Sequence, residues 1–122
     1  MNKTYNLKKS YEIEQLIKKK QSVGNRYYAI YYDQDEKTKI AISISKKLGK
    51  AHFRNYNKRV IREIIRNNLE KFEGLKCLIV IKEKSTELTF LEKSNEILKL
   101  INKIREDRQW KETLKSMLSL FY

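Results

Sequence analysis

Between residues 39 and 45 the chain reads KIAISIS, a strict alternation that places Ile40, Ile42 and Ile44 on one face and Ala41, Ser43 and Ser45 on the other. A period of two predicts a strand with one buried face. Residues 26–32, RYYAIYY, are aromatic and β-prone and predict a strand before it. On that strand Tyr27, Ala29 and Tyr31 share one face, and Arg26, Tyr28, Ile30 and Tyr32 share the other. A charged turn from Asp33 to Lys37 separates the two strands, and so short a connection implies an antiparallel hairpin. Residues 76–82, KCLIVIK, form a continuous apolar run and predict a central strand.

The other segments have helical spacing. Tyr11, Ile13, Leu16, Ile17 and Lys20 predict a helix over 10–20, with Ser10 as its N-cap. Residues 51–72 predict a longer one, in which Phe53, Val60, Ile61, Ile64 and Ile65 fall within an arc of about 140°. Gly74 marks its stop. Phe90, Leu91, Ile97, Leu98, Ile101 and Ile104 predict an amphipathic helix over 90–105. Trp110, Leu114, Met117, Leu118 and Phe121 predict a further helix over 107–122. The order is α-β-β-α-β-α with an additional C-terminal helix. It predicts one domain over residues 1–122, an α+β sandwich on a small sheet.

Charge changes the picture. The 122 residues carry 28 Lys and Arg against 15 Asp and Glu, a formal net charge of +13. That excess points to a polyanionic partner. Its distribution is uneven: Lys46, Lys47, Lys50, Arg54, Lys58, Arg59, Arg62 and Arg66 face Glu63 alone, so more than half of the excess lies in residues 46–66. On the long helix these cations, with Asn55, occupy an arc opposite the apolar one. Arg54, Lys58 and Arg62 recur at intervals of about 6 Å, close to the phosphate repeat of a nucleic-acid strand. Lys46, Lys47 and Lys50 gather at the helix start, where free N–H groups also favour anions. The tyrosines of RYYAIYY offer a stacking face for unpaired bases, and core packing is an equally good reading of any one of them.

Autonomous chemistry is missing. His52 is the only histidine, so a His-based triad and a His-rich metal site are excluded. Cys77 sits within an apolar strand; a lone cysteine forms no internal disulfide and fits a reducing cytoplasm. Asp33, Asp35 and Glu36 lie in a turn without a fixed cage, which reads as a charged turn and not as a cation site. No apolar run has the length of a membrane span, and MNKTYNLKKS has no apolar segment behind it, so neither a membrane nor a secretory route is expected. Charge and fold class alone equally permit a ribosomal-type or chaperone RNA-binding module.

SISKKLGKAHFRNYNKRVIREII resembles the signature of the protein subunit of bacterial ribonuclease P: Ser-x-Ser-Lys-Lys-x-Gly ending a strand, then a helix with Arg-Asn-x-x-Lys-Arg-x-x-Arg. LKKSYEIEQLIKKKQSVGNRYYAIYY and LIVIKEKSTELTFLE are similar to its N-terminal and late segments. The resemblance covers about residues 5–105, leaving 106–122 as a helical tail. It implies an accessory subunit of an endoribonuclease whose catalyst is an RNA using Mg2+ to remove the 5′ leader of precursor tRNA, with no catalytic residue and no metal site on the protein. The implied partners are ribonuclease P RNA and the precursor leader, with no obligate protein partner, in the cytoplasm. The resemblance implies an RNA-binding ridge of Lys46, Lys47, Arg54, Asn55, Lys58, Arg59 and Arg62, to which the charge pattern adds Lys50 and Arg66. The resemblance implies a leader cleft of Ile13, Ile17, Ala29 and Tyr31, to which Tyr27, on the same strand face as Tyr31, and its neighbour Arg26 are added. A left-handed β-α-β crossover in a mixed sheet is implied as well, against the usual rule. The family usually has Arg where Tyr56 stands, and aromatic residues where Ile13 and Ile17 stand.

Overall fold

A computed structural model describes residues 10–34 and 37–119. Its elements are α1 (Ser10–Lys18), β1 (Ser22–Gly24), β2 (Tyr28–Gln34), β3 (Lys39–Ile44), α2 (Ala51–Asn67), β4 (Leu75–Ile81) and α3 (Phe90–Ser119). The strands form one mixed sheet in the order β1-β2-β4-β3. β4 is central because LKCLIVI is apolar on both faces: Leu75, Cys77, Ile79 and Ile81 are buried on one side and Leu78 on the other. Its neighbours are β2, antiparallel, and β3, parallel.

This arrangement corrects the hairpin expected for residues 26–45. β2 and β3 run in opposite directions but do not pair, because β4 lies between them. Two strand spacings are only about 10 Å, which the few residues from Gln34 to Lys39 span easily. Adjacent β2 and β3 would leave the most apolar strand at an edge. β1 was not anticipated; its three residues, Ser22, Val23 and Gly24, pair with Tyr31, Ile30 and Ala29 and are too few to show a period.

One face of the sheet carries the main core. Tyr28, Ile30, Tyr32, Ile40 and Ile44 meet Ile61, Ile64 and Ile65 of α2 and Ile97, Leu100, Ile101 and Ile104 of α3. α1 covers part of the opposite face through Leu16 on Leu78. Ser10, expected as the N-cap of α1, is its first helical residue, so the cap position falls outside the described residues.

Three helices differ in extent from the sequence reading. α1 ends at Lys18 and not at 20, where Lys20 turns to φ 57°. α2 stops at Asn67, not at 72, because Asn68 turns back on it: its backbone N–H bonds the Ile65 carbonyl and its amide bonds the Ile64 carbonyl at 2.9 Å. A 3-10 turn over Leu69–Phe72 follows and buries Phe72. Gly74, at φ 73°, then donates its N–H to Thr38 Oγ1 and enters β4. The two helices expected over 90–105 and 107–122 are one, α3, which runs about 45 Å at 1.5 Å per residue. No glycine or proline interrupts the polar stretch EDRQ, so nothing there breaks the helix. Phe90 and Leu91, expected on its core face, are exposed, and so are Met117 and Leu118. The side chains of Trp110 and Leu114, and Phe121 altogether, lie outside the described residues.

Candidate nucleic-acid interface

The orientation of α2 is fixed from below. Ile61, Ile64 and Ile65 are buried against the sheet, and Asn57, unexpectedly, is buried with them, its amide donating to the Phe53 carbonyl at 2.9 Å. The opposite surface therefore faces solvent. Asn55, Arg59, Arg62 and Arg66 are exposed on it, while Arg54 and Lys58 lie half-buried along one flank. Phe53, expected in the core arc, is instead 37% exposed at the far flank.

The approach to α2 adds three cations. A 3-10 turn over Lys46–Leu48 is capped by Ser45, whose Oγ accepts from the Lys47 N–H at 3.2 Å. Gly49 follows at φ 144°, a backbone state that side-chain-bearing residues rarely adopt. Lys50 is the N-cap of α2 and supplies no capping side chain, so the first N–H groups of the helix gain no side-chain acceptor there. Lys46, Lys47 and Lys50 are exposed beside them. Arg54 folds back to donate Nε–H to the Gly49 carbonyl at 3.2 Å, tying the turn to the ridge.

Compensation is almost absent. Among the described residues, the one ion pair on this surface joins Arg66 to Glu63. Of the nine residues expected of the ridge, Lys46, Lys47, Lys50, Asn55, Arg59, Arg62 and Arg66 are exposed on α2 and the segment that enters it, and Arg54 and Lys58 are half-buried.

The other expected site is assembled only in part. On the face of the sheet that α1 covers, strand pairing lays out rows across the strands. Asp33, Lys76 and Lys39 form one row; Ser22, Tyr31, Leu78 and Ala41 the next; Gly24, Ala29, Val80 and Ser43 the third. α1 crosses the strands over the charged row. Glu12 reaches Lys39 at 3.5 Å and Lys76 at 3.8 Å, and Lys19 pairs with Asp33. Partial burial of Asp33 works against its charge, but Lys19, the Gln34 N–H and Lys76 prevail and hold its carboxyl below the usual range. Leu16 seals the second row with Ile13, Tyr31, Ala41 and Val80 around it. The third row, of short side chains, lies about 7 Å further along the strands. Gly24 and Ser43 in it are exposed, and Ala29 and Val80 half-buried. It floors a shallow trough beside α1.

Ile13, Ala29 and Tyr31 are thus brought together, and Ile17, 43% exposed, stands one turn beyond Ile13. Tyr27 and Arg26 are not part of this face. The strand begins at Tyr28, because the Asn25 side chain accepts from the N–H groups of both Tyr27 and Tyr28, at 2.8 and 2.9 Å. That turn breaks the alternation assumed from residue 26. Tyr27 packs on the main core and lines a groove with Asn95 and Glu96 of α3, and Arg26 is exposed in the bend. The sequence reading missed Gly24, Ser43 and Val80 in the trough floor. They carry no signal of their own and become neighbours only through the register with β4.

The remaining candidates stay simple. Cys77 is buried, and desolvation pushes its thiol up to about 12, so it is no nucleophile. His52 is exposed on the first turn of α2. Asp33 is occupied by Lys19, and Asp35 and Glu36 lie outside the described residues. Among the described residues no three of His, Cys, Asp and Glu gather as metal ligands, and no helix is long and apolar enough to cross a membrane.

A four-stranded α+β domain whose exposed helix carries cations with little compensation belongs to the class of small basic α+β domains, with a surface suited to a polyanion. A family model described as Ribonuclease P matches residues 1–105. The ribonuclease P protein component of Bacillus pumilus is 39% identical over 108 residues, covering 84% of this chain and 90% of that protein. That of Mycoplasmopsis pulmonis is 32% identical over 111 residues, covering 89% and 99%. A structure of a Staphylococcus aureus RNase P protein mutant with defective mRNA degradation activity is similar at TM-score 0.78 and 27% identity, covering 84% of this chain and 90% of that one. The chain belongs to the ribonuclease P protein family.

Proposed function

We propose that this chain is the protein component of ribonuclease P and assists a catalytic RNA in removing the 5′ leader from precursor tRNA. The observation that carries the reading is the α2 ridge: seven cations without a carboxylate partner among the described residues, on a helix whose other face is locked into the core. Such a surface is stable only in contact with solvent or with a polyanion, and its cation spacing of about 6 Å suits a phosphate backbone. Arg54, Lys58, Arg59 and Arg62 hold the RNA subunit, with Asn55 offering an amide to bases or backbone. The free N–H groups at the start of α2 and Lys46, Lys47 and Lys50 extend the grip.

The trough beside α1 takes the single-stranded leader. Its small floor lets a chain of nucleotides approach the sheet, and Tyr31, with Ile13 and Ile17, offers apolar surface to bases. The RNA is the catalyst, and Mg2+ held by it supplies Lewis acidity for the cut. The protein's own residues bind and orient; its buried thiol and scattered carboxylates perform no chemical step. The assembly works in the cytoplasm, with RNA as its obligate partner.

The test is a cleavage assay on precursor tRNA with a bacterial ribonuclease P RNA, the protein, or both. The expected result is leader removal by the RNA that the protein enhances at low Mg2+, and none by rigorously RNA-free protein. Cleavage by the protein alone, or no effect of the protein on the RNA, overturns the reading.

A further inference from the structure

We propose that Tyr56 stacks on an unpaired base of the RNA held by the α2 ridge, so that this helix grips RNA through two flanks of different chemistry. The inference rests on the reading that the ridge binds RNA, and adds to it a contact of another kind.

At about 100° per residue, Arg59 points almost directly away from the core. Arg62, Lys58 and Arg54 follow it around one side of the helix. Tyr56 and then Phe53 follow around the other, in steps of about 60°. The cationic and aromatic flanks therefore meet at Arg59, and Tyr56, three residues before it, is its direct neighbour on the surface. Tyr56 is 55% exposed. A ring so placed keeps more than half of its surface open to a partner. Its neighbour Phe53 is held from beneath: a Cβ on Gly49 would come within 2.7 Å of the Phe53 ring, so the glycine leaves room for that ring against the chain at residue 49. His52 is exposed one turn before Tyr56. The result is an aromatic ledge along the edge of a phosphate-sized row of cations.

An unpaired base suits that ledge. With its phosphate on Arg59, a nucleotide turned out of its stack lies within reach of the Tyr56 face, and stacking accepts any base. Stacking releases no counterions, whereas each phosphate contact does. The two flanks are therefore separable by salt.

The experiment measures affinity of the full-length protein for ribonuclease P RNA across a salt series, for the unaltered chain and for Tyr56→Phe, Tyr56→Leu, Tyr56→Arg and Arg59→Ala. Circular dichroism first establishes that each is folded. The expected result is that Tyr56→Phe binds as the unaltered protein does, and that Tyr56→Leu, which keeps apolar bulk but has no ring face, weakens binding about fivefold to 150-fold with the salt slope unchanged. Tyr56→Arg steepens the slope by about 0.7–0.9, and Arg59→Ala makes it shallower by as much. Zero-length ultraviolet crosslinking should join RNA to the Tyr56 peptide. If Tyr56→Leu binds normally while Arg59→Ala still lowers the slope, the stacking proposal is wrong and the ridge reading stands. If Arg59→Ala has no effect on the slope, the ridge reading itself is wrong.

Discussion

Glu63 is the one carboxylate of the ridge, and removing it exposes how the ridge works. In the free protein Glu63 neutralises Arg66 one turn along α2. That pair is solvent-exposed and contributes no more than about 1 kcal/mol to folding, so Glu63→Gln leaves stability nearly unchanged. Its effect on binding is larger. Seven cations, Lys46, Lys47, Lys50, Arg54, Lys58, Arg59 and Arg62, have no carboxylate partner among the described residues. If each meets a phosphate, log K falls against log salt with a slope of about −5 to −6. A fourfold rise in salt then lowers affinity by roughly three orders of magnitude. Glu63→Gln frees Arg66 as an eighth contact and steepens the slope by about 0.7–0.9, raising affinity most at low salt. The assay is fluorescence anisotropy with labelled ribonuclease P RNA from 50 to 400 mM salt (roughly one decade), at fixed Mg2+. A slope shallower than about −2 in the unaltered protein, or an unchanged slope in Glu63→Gln, refutes the reasoning.

Three further outcomes are expected. Tyr31→Leu keeps apolar bulk beside Leu16 but loses the ring, so it should weaken holoenzyme binding of precursor tRNA by roughly 1–3 kcal/mol and leave mature tRNA binding alone; equal effects on both would remove Tyr31 from the cleft. Leu16, 2% exposed, is the fully buried anchor of α1, and Leu16→Ala should cost about 2–4 kcal/mol in urea unfolding; a cost below about 1 kcal/mol would mean that α1 is not held by packing. Because the Asp33 carboxyl is held below its ordinary range, its charged form stabilises the fold above the unfolded pKa, and that stability is lost as pH falls through the folded value. Asp33→Asn should therefore lower stability at neutral pH, by less than about 1 kcal/mol for a pair this exposed, with the difference beginning to fade near about pH 4 and gone once pH lies below the depressed folded value; a difference that stays constant as pH falls through this range contradicts the assignment.

The two faces of the sheet divide the labour that these experiments separate. β4 sits between them, with Cys77 and Ile79 facing the core beneath α2 and α3, and Leu78 and Val80 facing α1. The helix that carries the ridge is secured by the first face, and the trough is cut into the second. A substitution on the solvent side of α2 therefore alters the proposed RNA interface without loosening the trough. One at Leu16 does the reverse.

The amino-acid sequence by itself determined the strands β2, β3 and β4, the existence of α1, α2 and α3, and the side of α2 that carries its exposed arginines. These are local properties: alternation assigns Ile40 and Ile44 to one face, and a spacing of 3.6 residues puts Arg59 opposite Ile61 and Ile64 without reference to anything distant. Family resemblance carried the reading further, to a cleft beside the first helix, where the structure brings Ile13, Ala29 and Tyr31 together. Only the tertiary structure decided that β4 enters between β2 and β3, because a short connection permits either pairing and the choice rests on covering both faces of LKCLIVI at once. The same holds for the trough floor, where Gly24, Ala29, Val80 and Ser43 come from four strands and meet through register alone. Tyr27 failed for the opposite reason: the period of two held along β2, but one Asn25 side chain bonded to two backbone N–H groups moved the start of the strand by two residues. Periodicity reports which residues share a face; where a face begins, and what it meets, is set by side-chain hydrogen bonds and by packing between segments far apart in the chain.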